Sequence, residues 1–225
     1  MKPRLKKNNY TAQKKWTGKK KKPAPYQMHD EYFKKAKAEW YRARSVYKLK
    51  EIQEKYWLIE PHMHVCDIWA APGSWIQYTK RITGEDGKLL WIDLKRIDKY
   101  SQLNIKTIEC DIFNYPDVRW EVDEFLWDDK NFDLILSDIA PNTTWRKDID
   151  QYASVELNIE IVKFASEFLK PWGNLVMKVF KWEDFSDLSF WVKKYFKNMY
   201  ECKPKAVRDR SFEVYIICKN KFDEQ

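Results

Sequence analysis

Glycine is scarce in this chain. There are five in 225 residues, where an average share of about 7% would give three times as many. With so few, the dinucleotide fingerprint G-x-G-x-x-G occurs nowhere, which argues against NAD as a ligand. No apolar run approaches the roughly 18–20 residues of a membrane span. The basic start, "MKPRLKKNNY", has no apolar stretch behind it, so it does not read as a secretory signal. The four cysteines, Cys66, Cys110, Cys202 and Cys218, include no C-x-x-C pair. They read as reduced thiols of a cytoplasmic protein rather than as a disulfide framework.

What is abundant is charge, and it is unevenly placed. Residues 1–25 hold ten Lys and Arg and no acid; the remaining 32 basic residues face all 34 acidic ones, leaving a net charge of −2 outside that stretch. The run Lys19 to Lys22, beside Pro23 and Pro25, suits a solvated basic tail over residues 1–27, ahead of a domain over 28–225. Such a tail can serve solubility alone or act as an arm that seeks phosphates.

Past the tail, helix-like and strand-like stretches alternate. "DEYFKKAKAEW" suits a short amphipathic helix. "SVYKLKEIQEKY" suits a second, with Ser45 as N-cap and Val46, Leu49 and Ile52 on one face. Val65 to Ile68 reads as a first strand leading through a turn into a helix, "KLLWID" (88–93) as a second strand and "KTIEC" (106–110) as a third. "FDLILSD" (132–138) suits a buried central strand. Val155, Ile159, Val162 and Leu169 recur at helical spacing. "NLVMKVF" (174–180), a helix over "DFSDLSFWVKKYF" and "FEVYIIC" (212–218) complete the series. This alternation predicts an α/β fold with a mainly parallel sheet and helices on both faces.

Three acids, Asp93, Asp111 and Asp138, stand at or just after strand ends. In a doubly wound sheet that edge is where ligands bind. Asp93 follows Gly73 by 20 residues, the spacing of an acid that holds a ribose hydroxyl. A single strand-end Asp is commonly a helix cap, and three in succession are harder to explain that way. Lys178 interrupts an apolar strand, so it must snorkel to an edge or sit buried with a partner. Glu213 interrupts another, where outward alternation is the plainer reading. Lys48 by itself reads as a solvated helix lysine. His62, His64 and Cys66 alternate and could share a face, but they lead directly into the first strand, and a metal site is not the expectation there.

Six stretches in order, "YRARSVYKLKEI", "CDIWAAPGSWIQYT", "WIDLKRI", "FDLILSDIAPNTT", "LVMKVF" and "RSFEVYIIC", resemble the motifs of the FtsJ/RrmJ family. These are S-adenosylmethionine-dependent RNA ribose 2′-O-methyltransferases. The resemblance covers about Asp30 to Lys219. It implies a Rossmann-like methyltransferase fold with a seven-stranded sheet. It also implies a catalytic tetrad of Lys48, Asp138, Lys178 and Glu213, with Lys178 as proton acceptor. Cofactor positions would be Gly73, Trp75, Asp93, Asp111 and Asp138, with Asp93 on the ribose and Asp111 at the adenine amine. Arg42 and Arg44 would grip RNA phosphates. The implied substrate is a uridine in the A-loop of large-subunit ribosomal RNA. A tRNA anticodon loop, or an RNA-binding relative without catalysis, are the alternatives. The implied protein is a cytoplasmic monomer acting on RNA, with no membrane and no metal.

The resemblance also sharpens the glycine deficit. The family pattern has glycine where this chain has Trp40, Trp57, Trp69, Trp91, Trp145, Trp172 and Trp182. Exchanging these seven would give 12 glycines and 5 tryptophans, an ordinary composition. The expectation is that these positions are UGA codons that the cell reads as glycine. The opposing reading is genuine drift that degraded the cofactor site. Trp75 stands apart, since an aromatic belongs there.

Overall fold

The short apolar runs become strands of one sheet, and the amphipathic runs become helices laid over it. The computed structural model describes residues 31–69, 71–95, 102–144, 146–181, 185–208 and 211–223. The basic stretch 1–27, Trp145 and Trp182 lie outside them. In chain order the elements are α1 (Glu31–Ala38), α2 (Val46–Tyr56), β1 (Val65–Ile68), α3 (Ser74–Thr83), β2 (Leu89–Asp93), β3 (Ile105–Glu109) and α4 (Tyr115–Leu126). Then follow β4 (Phe132–Ser137), α5 (Lys147–Phe168), β5 (Leu169–Phe180), α6 (Ser186–Tyr195), β6 (Phe196–Cys202) and β7 (Glu213–Lys221).

The sheet has seven strands in the order β3-β2-β1-β4-β5-β7-β6. The pairs among β3, β2, β1, β4 and β5 are parallel, and β7 joins β5 and β6 antiparallel. The strand order reverses between β1 and β4, which opens a crevice beyond their carboxyl ends, the usual ligand position in such sheets. Strands β1 and β2 are buried along their whole length, because helices cover both faces. Side chains of α4, α5 and α6 pack on one face, with Val118, Val122, Phe164, Val162 and Leu188 against Cys66, Ile92 and Met177. Side chains of α2 and α3 pack on the other, with Leu49, Ile52, Trp75 and Ile76 against Val65, Leu136 and Tyr215. No helix among the described residues is long and apolar enough to cross a membrane.

Three local expectations need correction. Leu169, placed above on a helix, is the first residue of β5. The β4–β5 pairing begins at Phe132 with Leu169 and is irregular before it resumes at Leu134 with Asn174, so the strand absorbs the Pro171-Trp172-Gly173 turn as a bulge. Phe196 belongs to β6 rather than to the preceding helix. Ser45 stands before α2 with helical dihedrals and no side-chain cap; its hydroxyl instead meets that of Ser74 at 2.8 Å, tying α2 to the start of α3.

Candidate active site

Four side chains expected to act together meet at the carboxyl edge of β4 and β5. Asp138 is the first residue after β4, Lys178 is on β5, Glu213 opens β7, and Lys48 comes from α2. Lys178 Nζ lies 3.0 Å from Asp138 Oδ1 and donates to the Asp138 main-chain oxygen at 2.5 Å. Lys48 Nζ lies 2.5 Å from Glu213 Oε1. The side chains of both lysines are only 11% exposed, so each buried ammonium is matched by a carboxylate, as burial demands.

A fifth member was not read from the sequence. Tyr215 faces Lys178 directly across the β5–β7 ladder and donates its hydroxyl to Asp138 Oδ1 at 2.7 Å. Burial above all, then the nearby Asp138 and Glu213 charges, hold its phenol well above the usual range, so it stays a donor. The signal was available: Tyr215 is two residues beyond Glu213, and residues i and i+2 of a strand share a face. Asp138 moves the other way. Burial would raise its carboxyl, but the charges of Lys178 and Lys48 and the Tyr215 hydroxyl outweigh it and hold the group below its ordinary value.

Beside this cluster is a cavity of about 310 Å³, at the small end for a ligand pocket. Its walls include Ile92, Ile112, Phe113, Ile139 and Pro141, and its polar edge includes Asp93 and Asp111. Apolar walls for a flat ring with carboxylates at the rim suit a nucleoside. Asp93 ends β2 with its carboxylate held by the Ala71 and Lys95 amides at 2.9 and 2.8 Å. Asp111 follows β3 and accepts the Phe113 amide at 3.0 Å.

Of the other expected cofactor positions, Gly73 caps α3 at φ +97°, and a Cβ there would lie 1.9 Å from the Trp91 ring; the loop can run so close to β2 only with glycine. Trp75, Gly73 and Asp138 are not among the residues that line the cavity. Trp75 is buried against Tyr215, with ring centroids 5.9 Å apart, and its Nε1 donates to Ser45 O at 2.9 Å. It therefore joins α3 to α2 instead of lining the cavity. Trp69 does line the cavity, and its bulk does not suit a nucleoside cofactor.

The two arginines differ. Arg42 is exposed and reaches the Pro72 carbonyl at 3.3 Å, close to the loop. Arg44 donates to Ala206 O at 2.5 Å, so it braces the β6–β7 connection. His62 and His64 turn to Asp86 and Asp129 at 3.0 and 2.7 Å, while Cys66 is buried in the core; the three do not converge.

With this geometry in place, comparison with known proteins is decisive. The description of FtsJ-like methyltransferases matches residues 41–221. The chain belongs to the FtsJ-like methyltransferase family. As a member it is a methyltransferase, with S-adenosylmethionine as methyl donor. A protein of Desulfatibacillum aliphaticivorans named ribosomal RNA large subunit methyltransferase E is 36% identical over 200 residues, covering 88% of this chain and 94% of that protein. A protein of the same name from Methanocaldococcus jannaschii is 37% identical over 191 residues, covering 84% and 78%. A crystal structure described as a ribosomal RNA methyltransferase of Plasmodium falciparum superposes with a TM-score of 0.71 at 28% identity, over 82% of this chain and 100% of that one. The fibrillarin of Methanococcus jannaschii, at 17% identity and a TM-score of 0.52, shares the fold alone.

Proposed function

We propose that this FtsJ-like methyltransferase methylates a ribose 2′-hydroxyl in RNA, and that its target is a uridine in the A-loop of large-subunit ribosomal RNA. The observation that carries the chemistry is the Lys178–Asp138–Tyr215 and Lys48–Glu213 cluster beside an apolar cavity edged by Asp93 and Asp111. The names of the relatives favour ribosomal RNA over a tRNA anticodon loop.

When bound, S-adenosylmethionine supplies an electrophilic methyl group on a positively charged sulfur. A ribose hydroxyl is a weak nucleophile because its proton is hard to remove, so this chain's own contribution is placement and a base. Lys178, an ammonium in its ion pair with Asp138, must first give up a proton to solvent, and the amine so formed takes the hydroxyl proton. Asp138, fixed by Tyr215, holds Lys178 in place. The methyl would pass from sulfur to the hydroxyl oxygen, sulfur keeping the electron pair of the broken bond, while Lys178 holds the hydroxyl proton. Lys48, held by Glu213, presents a second cation to the RNA. In the cavity Asp93 would hold the cofactor ribose and Asp111 the adenine amine. Gly73 lets the loop pass close to β2, and Trp75 supports the loop from below. Arg42 and Arg44 meet RNA phosphate, Arg44 while braced on Ala206 O. We read the enzyme as a monomer that acts in the cytoplasm.

Lys178→Ala is expected to abolish methyl transfer while leaving cofactor affinity within about threefold, because the lysine acts on the hydroxyl. Near-normal turnover would remove Lys178 from the base role. Mapping ribose methylation in total RNA from a strain lacking the gene assigns the target. Loss of one uridine methylation in large-subunit RNA is expected, and loss in tRNA instead would overturn that choice.

A further inference from the structure

The tryptophans occupy backbone positions that only glycine fills easily. Nine of the twelve are described, and five of them, Trp40, Trp57, Trp69, Trp127 and Trp172, have φ between +50° and +67°. The other non-glycine residues with positive φ among those described are His62, Lys130 and Asn220. A bulky side chain at positive φ is an outlier wherever it occurs. Five of one residue type, in a chain short of glycine, are not independent accidents.

Each of the five has its own geometric reason. After α1, the Trp40 amide donates to Lys37 O at 3.3 Å and the Tyr41 amide to Ala36 O at 2.8 Å. This is the paired closure of a helix end in which the residue at position 40 is normally glycine. Trp57 ends α2 at φ 50° and ψ 62°, its amide on Gln53 O, the left-handed cap that also favours glycine. Trp127 ends α4 at φ 57° and ψ −112°, the first central position of a type II′ turn, where glycine dominates. Trp172 follows Pro171 at φ 67°, the Pro-Gly order of a type II turn. Trp69 sits at φ 63° where β1 turns toward the loop, its amide on Ile92 O at 2.8 Å.

Exposure agrees. Trp40, Trp57, Trp127 and Trp172 are 64–85% exposed, so these rings find little to bury against. The contrast is Trp75, which lies within α3 and uses both its ring and its N–H. Trp191, stacked on Tyr195 with centroids 6.3 Å apart, likewise uses its ring. Trp91 is extended and fully buried in β2, so its backbone makes no demand for glycine.

We infer that residues 40, 57, 69, 127 and 172 are glycine in the protein the cell makes, through UGA codons decoded as glycine, and that glycine at 69 is what admits the cofactor. UGA differs from the tryptophan codon UGG and from the glycine codon GGA by one base each. It is the triplet through which one amino acid can be written for the other at many sites at once. The cofactor part rests on the reading of the 310 Å³ cavity as the cofactor site; the codon part does not.

The gene and the native protein decide the first part. TGA is expected at the five positions and TGG at Trp75 and Trp191, and peptides from the native organism should carry glycine at 69. TGG codons at the five, or native peptides with tryptophan there, overturn it. Expression of the chain as written and with all five glycines restored tests the second part. The glycine form should unfold about 10 °C or more higher. It should bind S-adenosylhomocysteine in calorimetry at least about tenfold more tightly than the same form carrying tryptophan at 69 alone. Equal affinity with and without that indole overturns the role assigned to position 69.

Discussion

Asp67 sits in the middle of β1 with both carboxylate oxygens buried and without a hydrogen-bond partner among the described residues. Burial, with the charges of Asp138 and Asp93 nearby, pushes its carboxyl well above the ordinary range. Asp138, two residues beyond Leu136, the β4 partner of Asp67, is held low by its lysines. The same residue type is thus kept protonated at one point of the edge and charged at the next. The signs of the two stability terms differ accordingly. Asp138 contributes stability above the unfolded carboxyl value, near 3.9, and loses it as pH falls through its lower folded value. Asp67 costs stability as pH rises from about 3.9 toward its raised folded value, because only the unfolded state is charged there. Asp67→Asn should therefore raise the unfolding temperature by a few degrees at about pH 7.5 and by much less near pH 4. A variant less stable at pH 7.5, or shifted equally at both, would refute the buried neutral carboxyl. At this scale the sequence was partly legible. Family motifs pointed to Lys48, Asp138, Lys178 and Glu213, and the structure brings these four side chains together. Tyr215 was missed because an apolar strand with one tyrosine looks like core. Trp127 was missed because nothing in "EFLWDDK" marks where α4 stops. Were the five positive-φ tryptophans real, at about 1–2 kcal/mol each they would cost as much as many domains have in total.

At the scale of elements, α5 does something that its length alone does not suggest. The β4–β5 ladder runs out at Ser137 with Met177, because β4 must end for the crevice to open. Strand β5 continues to Phe180, with Lys178 in the part left unpaired on that side. The Lys181 amide bonds to Phe212 O on the β7 side, so by strand alternation the groups of residues 178 and 180 face where β4 would have been. They are met by α5: Asn158 Nδ2 donates to Lys178 O at 2.8 Å, and the Phe180 amide donates to Ser154 Oγ at 3.0 Å. Two side chains four apart on one helix stand in for the missing strand and fix the backbone that carries the proposed base. Ser154→Ala and Asn158→Leu should lower kcat about tenfold each while KM for RNA stays within about twofold, since a loosened Lys178 costs only in the reaction step. Ser154→Thr, which keeps the hydroxyl, should restore most of the rate. Variants that lose thermal stability but keep kcat would make the pair a packing device only. Most elements could be read from the sequence, because α2 buries one regular face and β1, β2 and β4 are short runs buried almost throughout. The edge strand β6 could not: only Phe196 and Cys202 of its seven residues are buried, so it lacks the alternation that announces a strand. Helix α4 escaped for a different reason. Its core contacts are Val118, Val122 and Leu126, a clean four-residue spacing diluted by the charged residues between them.

For the whole molecule, the sequence alternation already carried the layered fold, while the handing of β7 back between β5 and β6 needed the structure, since antiparallel return is not written in any local pattern. Charge is the whole-molecule property with the clearest functional consequence. Outside residues 1–25 the chain is slightly acidic, at −2, and yet its proposed substrate is a polyanion. Near the crevice Lys48 and Lys178 are paired with Glu213 and Asp138, and Arg44 donates to a backbone oxygen. Long-range attraction to RNA then falls mainly to the ten positive charges of residues 1–25. Each phosphate neutralised on a single strand steepens the dependence of log K on log salt by about 0.7. Removing residues 1–25 should thus flatten that slope by several units and weaken binding most at low salt. Turnover on a short, saturating RNA at low salt should survive, because the tetrad and the cavity lie entirely within 31–223. Fluorescence anisotropy of a labelled RNA across a salt series measures the slope directly. A slope unchanged by the truncation would show that the basic stretch serves solubility and that the domain alone supplies the phosphate contacts.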